Sequence, residues 1–198
     1  MRGIEFSSLF RTFVFLMVIV GTMGPNAYAL DADGWSGNAN LLIGVKSLDE
    51  DDWNPLDEQT EIGIGVDFKQ DDWPVSGTIG YLFSSDDDNV MGVDIEGNTS
   101  ELYFGVRKIW ELPSLVRPFV GGGLALVNAK LEAAASGVKV TDDDSGIGIW
   151  IGGGAYLVLS GNFNIGVEFR YSRAEVTLFN TDVEAGGLHY GVTAGYHW

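Results

Sequence analysis

The chain has no cysteine, so disulfides and thiolate metal sites are excluded. Basic residues are scarce: 11 Lys and Arg stand against 28 Asp and Glu, a formal net charge of −17. Nucleic acid is therefore not an expected partner. Histidine is nearly absent, with His189 and His197 as the two imidazoles available for base chemistry. Proline is sparse, and after Val20 every apolar run is interrupted by glycine or a polar residue, so no later segment reads as a transmembrane helix. The acidic balance does not imply disorder, because 45% of the residues are hydrophobic and 12% aromatic.

What is present begins with an export pattern. Arg2 and Arg11 flank the start of an apolar stretch over 13–20, and Gly24, Pro25 and Ala27-Tyr28-Ala29 follow. That order predicts a secretory signal peptide over 1–29, cut after Ala29, and a mature domain over 30–198.

From residue 38 the chain repeats one unit, an alternating apolar and small or polar run followed by a segment rich in Asp, Gly, Asn and Pro. This period of two predicts strands near 38–48, 59–69, 74–84, 98–110, 117–131, 146–158, 164–176 and 186–198, with no competing helical period. In the second run Ile62, Ile64, Val66 and Phe68 oppose Gly63, Gly65, Asp67 and Lys69. In the seventh, Ile165, Val167, Phe169 and Tyr171 oppose Gly166, Glu168, Arg170 and Ser172. The third and eighth runs alternate as cleanly, whereas the glycine-rich fifth and sixth leave their facing open.

Alternation alone does not say which face is inside. A water-facing polar face would carry long charged side chains; here it is largely Gly, Ser and Thr with a few charges, which suits a narrow lumen. The expectation is an all-β, eight-stranded antiparallel up-and-down transmembrane β-barrel, with the apolar face toward lipid. Connections alternate in length as in outer-membrane barrels: long at 49–61, 84–98, 132–145 and 177–185, short at 70–73, 111–116 and 159–163. The long set carries most of the acids, so the outer end is expected to be anionic. Phe68, Trp73, Trp110, Phe119 and Phe163, with Tyr196 and Trp198, fall where the periplasmic interface would lie and are expected to form an aromatic girdle.

Three stretches resemble the opacity-type and OmpA/OmpX-type family of small outer-membrane barrels: 117–123 (RPFVGGG), 166–172 (GVEFRYS) and the terminal 190–198 (YGVTAGYHW). In that family the last strand ends in an aromatic residue with apolar residues at two-residue spacing, read by the barrel assembly machinery. Ala194, Tyr196 and Trp198 match, with Trp in place of the commoner Phe. The resemblance implies fold and an outer-membrane location, and with them outer-membrane lipids and lipopolysaccharide as surroundings.

Asp67 and Lys69, Glu101 and Arg107, and Glu168 and Arg170 share the lumen-facing parity and are expected to form an ion network that plugs the barrel, since buried charge must be paired. No catalytic group, cofactor or built metal site is expected. A lipid A deacylase would present a His-x-Ser pair, but Gly191 stands two places after His189, and no serine–acid–histidine spacing indicates a triad. Asp142-Asp143-Asp144-Ser145-Gly146 and Asp31-Ala32-Asp33-Gly34 fall short of a full EF-hand loop, leaving weak divalent cations at acidic loops as candidate partners. The expected role is a non-enzymatic, structural or surface-interaction barrel. Transport of a small or hydrophobic solute is the alternative, and a lipid-modifying enzyme a more distant one.

Overall fold

The computed structural model describes residues 34–159 and 162–198, and the expected signal peptide and its cleavage site lie outside them. The strands are β1 (Trp35–Ser47), β2 (Glu58–Gln70), β3 (Ser76–Val90), β4 (Val93–Ile109), β5 (Val116–Ala135), β6 (Val138–Val158), β7 (Phe163–Arg173), β8 (Glu175–Leu178), β9 (Thr181–Glu184) and β10 (Gly187–His197). Eight of them close into a barrel in the order β1-β10-β7-β6-β5-β4-β3-β2, while β8 and β9 form a separate hairpin. β10 returns to pair antiparallel with β1, from Ser47 opposite Leu188 to Asn38 opposite His197. Closure leaves the barrel wall without an edge, the condition for backbone in hydrocarbon.

The alternation resolves outward and inward as expected. Leu41, Ile43, Ile62, Ile79, Phe104, Val167 and Val192 are exposed around the wall, whereas Asn38, Asn40, Asp67, Thr78, Glu101, Glu168, Arg170 and Thr193 are buried inside. The two strands with open facing obey the same rule. Ile147, Ile149 and Ile151 point out, Ile147 with 76% of its surface free, while Trp150 and Tyr156 point in.

Three differences from the sequence expectation concern the end with the long connections. The segments 84–98 and 132–145 are mostly strand: β3 and β4 run on to a turn at Met91-Gly92, and β5 and β6 to one at Ser136-Gly137. In both turns the two central residues have positive φ, 54° and 84° in the first and 49° and 81° in the second. That is the tight turn whose twist matches antiparallel strands, so the ladders continue to the tip. Phe179-Asn180 makes the same kind of turn between β8 and β9 inside the expected loop 177–185. The first long connection holds a short helix, α1 (Glu50–Trp53), where no helical period was visible; Asp49 caps it, its carboxylate accepting from the Asp51 N–H at 3.0 Å.

Candidate functional site

The lumen is filled by one continuous set of charges and aromatic rings. Arg107 on β4 reaches Asp67 on β2 at 3.3 Å and Glu168 on β7 at 2.9 Å, and donates to the Tyr156 hydroxyl. The Phe119 ring lies 4.3 Å from the Arg107 guanidinium and stacks on Tyr156 with centroids 4.5 Å apart. Arg170 bridges Glu168 at 2.8 Å and Glu101 at 3.6 Å, held between Tyr103 at 3.5 Å and Trp150 at 4.5 Å. Facing aromatic rings stabilise a desolvated guanidinium by about 2 kcal/mol. Further along the axis, His189 Nδ1 meets Glu61 at 2.6 Å, and Ser172 donates to Glu101 at 2.7 Å. Lys46 donates to Thr99 at 3.0 Å and to the Ala185 carbonyl at 2.8 Å.

Of the six residues expected in the network, the structure brings Asp67, Glu101, Arg107, Glu168 and Arg170 together and leaves out Lys69. Lys69 has lumen parity but sits nearer the end with the short turns, beside Asn38, Ser76, Arg117 and His197. Lys46, Glu61, Ser172 and His189 are buried participants that the pairing argument missed. Parity could have found them, since Lys46 follows Asn38, Asn40 and Leu42 inward along β1.

Phe119, expected in the girdle, is a second correction: only 2% exposed, it faces the lumen. The Gly121–Gly123 run hid the parity of β5, and the outward position beside it is filled by Val120. Large rings inside explain part of the glycine surplus. A Cβ on Gly65 would stand 2.5 Å from the Tyr103 hydroxyl, and one on Gly154 would stand 2.7 Å from the Phe119 ring. The other girdle residues lie near the short-turn end. Trp73, Trp110, Phe163 and Tyr196 are exposed, the last two in edge contact at 5.8 Å, and Phe68 covers Gly77 on β3. Trp198 and Gly37 exchange backbone hydrogen bonds at 3.0 and 3.1 Å, tying the last residue into the wall.

Glu61, His189 and Ser172 make an acid–imidazole–hydroxyl chain, with His189 Nε2 3.0 Å from Ser172 Oγ, although sequence spacing gave no sign of one. Its surroundings do not suit nucleophilic chemistry. Ser172 is 0% exposed, the Glu101 carboxylate competes for its proton, and the lumen cavity of about 10 Å³, lined by Asn40, Asp67, Tyr103, Arg107 and Thr193 among others, does not reach it.

At the long-hairpin end the lumen is capped. Leu48, Trp53 and Leu56 from the α1 segment pack in the same region as Ala174, Val176, Leu178 and Ala185 around the β8–β9 hairpin, all buried. Trp53 Nε1 donates to the Glu184 carbonyl at 2.8 Å, and the Glu184 N–H donates to Asp52 at 2.8 Å. Beyond the cap, the β3–β6 sheet carries a groove of about 580 Å³ lined by Asp86, Asp87, Asp88, Asp94, Glu96 and Glu132. Asp87 lies opposite Glu96, and Glu96 opposite Glu132. Lys139 and Lys130 pair with Glu132, and the Lys139 hydrogen bond leads in holding its carboxyl below the ordinary value. Among the described residues, no group of three or more His, Asp or Glu side chains is arranged to hold a metal ion.

A closed eight-stranded barrel, apolar outside and ion-filled within, is a transmembrane barrel by construction. Residues 13–197 match the family model described as the outer membrane protein beta-barrel domain, and the chain belongs to that bacterial outer-membrane family. Among solved structures, it is similar to the Neisserial surface protein A, NspA, at a TM-score of 0.58 and 12% identity, covering 84% of this chain and 98% of that one. It is likewise similar to Ail, the attachment invasion locus protein of Yersinia pestis, in complex with the heparin analogue sucrose octasulfate. That match has a TM-score of 0.56, 12% identity and coverage of 83% and 99%. A major outer membrane protein from Thermus thermophilus gives a TM-score of 0.57 at 10% identity, with coverage of 83% and 99%. Likeness at these identities concerns the fold. A comparison with curated proteins gives no match.

Proposed function

We propose that the protein is a non-enzymatic outer-membrane barrel whose lumen is a structural plug and whose tall acidic β3–β6 sheet is a surface for interactions outside the cell. In this reading the short turns and both ends of the barrel chain face the periplasm, and the signal peptide directs export. The plug carries the argument: five of the ionic side chains in it are tied into one chain of contacts through Arg107 and Arg170, and apolar groups of the α1 segment and the β8–β9 hairpin cover the outer mouth. A conduit needs an open polar path, and the cavity beside Asp67, Tyr103 and Arg107 in mid-lumen has room for about one water. The acidic sheet suits cationic partners, and lipopolysaccharide phosphates through bridging Mg²⁺ or Ca²⁺.

Planar-bilayer recordings of the folded protein should show no regular conductance steps; discrete, reproducible openings would overturn the plug. An epitope inserted between Met91 and Gly92 should be reached by antibody on intact cells, and labelling confined to permeabilised cells would reverse the orientation. Removing divalent cations with a chelator should loosen the hold of the protein on lipopolysaccharide, and binding that ignores the chelator would remove cation bridging from the reading.

A further inference from the structure

The basic side chains fall into three settings. Lys46, Arg107 and Arg170 are buried in the plug, each with hydrogen-bonding or carboxylate partners, and Lys130, Lys139 and Arg173 pair with Glu132 or Glu184 near the long hairpins. The third group, Lys69, Lys108 and Arg117, lines a pocket at the short-turn mouth with Ser76 and His197, and none of the three has a carboxylate within ion-pair distance among the described residues. In a chain of net charge −17, cations gathered at one concave place without carboxylate partners among the described residues are conspicuous. Lys69, Arg117 and His197 have the parity that points into the lumen.

The contacts around Arg117 orient this group. A guanidinium only donates, so at 3.0 Å His197 Nε2 must accept from Arg117 Nη1. His197 Nδ1 then carries the hydrogen and donates to the Gly37 carbonyl at 3.0 Å or to Asn38 Oδ1 at 3.1 Å. The imidazole is thereby anchored to β1 and fixes one edge of the guanidinium, leaving its other N–H groups for the pocket. Lys108 donates to the Pro74 carbonyl at 2.7 Å, which holds its charge at the rim. Among the described residues Glu111 is the one carboxylate in the lining, and it is exposed on the turn. A positioned guanidinium, an ammonium with no bonded partner and nearby hydroxyl and amide groups make a receptor for a tetrahedral oxyanion.

We propose that the short-turn mouth binds a phosphate group, donated either by a soluble phosphate or by the headgroup of a lipid in the adjoining leaflet. Arg117 and Lys69 supply the principal charge-assisted hydrogen bonds, and His197 is a positioning residue that orients Arg117. This site lies at the opposite end of the barrel from the acidic sheet and does not depend on the role proposed for that sheet.

The test is a titration of inorganic phosphate into the folded protein in uncharged maltoside micelles at constant ionic strength, followed by NMR of the Arg117 side-chain N–H and the His197 ring. Saturable shifts are expected in the wild type. Lys69→Gln and Arg117→Gln should each weaken binding about tenfold, the loss of one charge-assisted contact. Both must keep the unboiled-versus-boiled gel shift of the folded barrel; should Arg117→Gln lose it, Lys69→Gln and Lys108→Gln read the same site from the rim. Repeating the titration in bilayers of phosphatidylglycerol identifies the source. If His197 already sits at its shifted position and added phosphate does nothing, a headgroup is the donor; an undiminished response identifies soluble phosphate. Shifts in micelles that never saturate, that chloride reproduces, or that persist unchanged in folded Lys69→Gln and Arg117→Gln would overturn the proposal.

Discussion

Charge inside this barrel and charge on its projecting sheet obey opposite rules. In the lumen Glu168 lies within 2.9 Å of two arginines, and the rings of Tyr103, Trp150 and Phe119 pack against those guanidiniums. On the sheet Asp87 and Glu96 face each other across strands, and neither has an ion pair among the described residues, though like charges there are mutually destabilising. The two Asp-Asp-Asp runs show the same contrast at closer range. Each occupies a strand that has outrun its neighbour: the β2–β3 ladder reaches Thr60 opposite Ser85, and the β6–β7 ladder reaches Ile149 opposite Arg173. Asp142 and Asp144 make up for the lost neighbour by accepting from the N–H groups of Phe179 and Thr177 at 2.6 and 2.8 Å, which docks the β8–β9 hairpin. Asp86 to Asp88 dock nothing comparable; Asp88 accepts from the next residue's N–H, and the run places charge along an open strand edge, a recognised guard against pairing with other chains. Acid is structural where it meets a stray backbone donor, and protective where it does not.

The largest effect that would test this contrast lies in the lumen. Glu168→Ala removes the carboxylate shared by two buried guanidiniums, leaving Arg107 with Asp67 at 3.3 Å and Arg170 with Glu101 at 3.6 Å. It should cost about 3 kcal/mol, the lower end for breaking a buried pair, in unfolding by urea from lipid vesicles; a loss below about 1 kcal/mol would mean that the plug is hydrated and its pairs are not decisive. Gly65→Leu collides with Tyr103 and should cost about 1–3 kcal/mol in the same measurement. Asp142→Ala with Asp144→Ala frees two backbone donors and should cost about 1 kcal/mol for each bond, concentrated in the hairpin. Faster amide exchange at Thr177 and Phe179, with the barrel wall unchanged, is the expected reading. Asp87→Asn relieves a like-charge contact and should leave stability within about 0.5 kcal/mol or slightly raise it; a clear loss would show a hidden partner.

The smallest effect is a titration. The Glu132 carboxyl is held below its ordinary value, so its pairing is complete above the usual carboxylate range and is lost as pH falls through the lowered value. NMR of the β5–β6 turn should follow that single step, and a turn that is already loosened at neutral pH would contradict it.

The unequal treatment of charge also explains what could be read from sequence. The wall was legible because lipid enforces a strict period of two, as at Ile165, Val167 and Phe169 opposite Gly166, Glu168 and Arg170. Parity failed only where glycines erase the signal, at Gly121–Gly123 and Gly152–Gly154, and there it concealed Phe119 and Tyr156. The hairpin extensions were read as loops because aspartate is a poor strand former; two-residue turns at Met91-Gly92 and Ser136-Gly137 override that preference by keeping the strands in register. Opposite charges in the same strand found most of the plug but not Lys46 or Glu61, whose partners come from distant strands. Glu61 meets His189 across 128 positions, a distance at which a single sequence carries no pairing signal.

The strands are of very unequal length: β5 has 20 residues and β10 has 11. At about 3.3 Å per residue along strands tilted some 45°, the difference is roughly 20 Å of height. The molecule is therefore directional within the plane of the membrane, a low parapet on the β10–β1 side and a tall screen on the β4–β5 side. A neighbour diffusing in the bilayer meets one or the other according to its bearing, so crowding and contact around this barrel should have a compass direction.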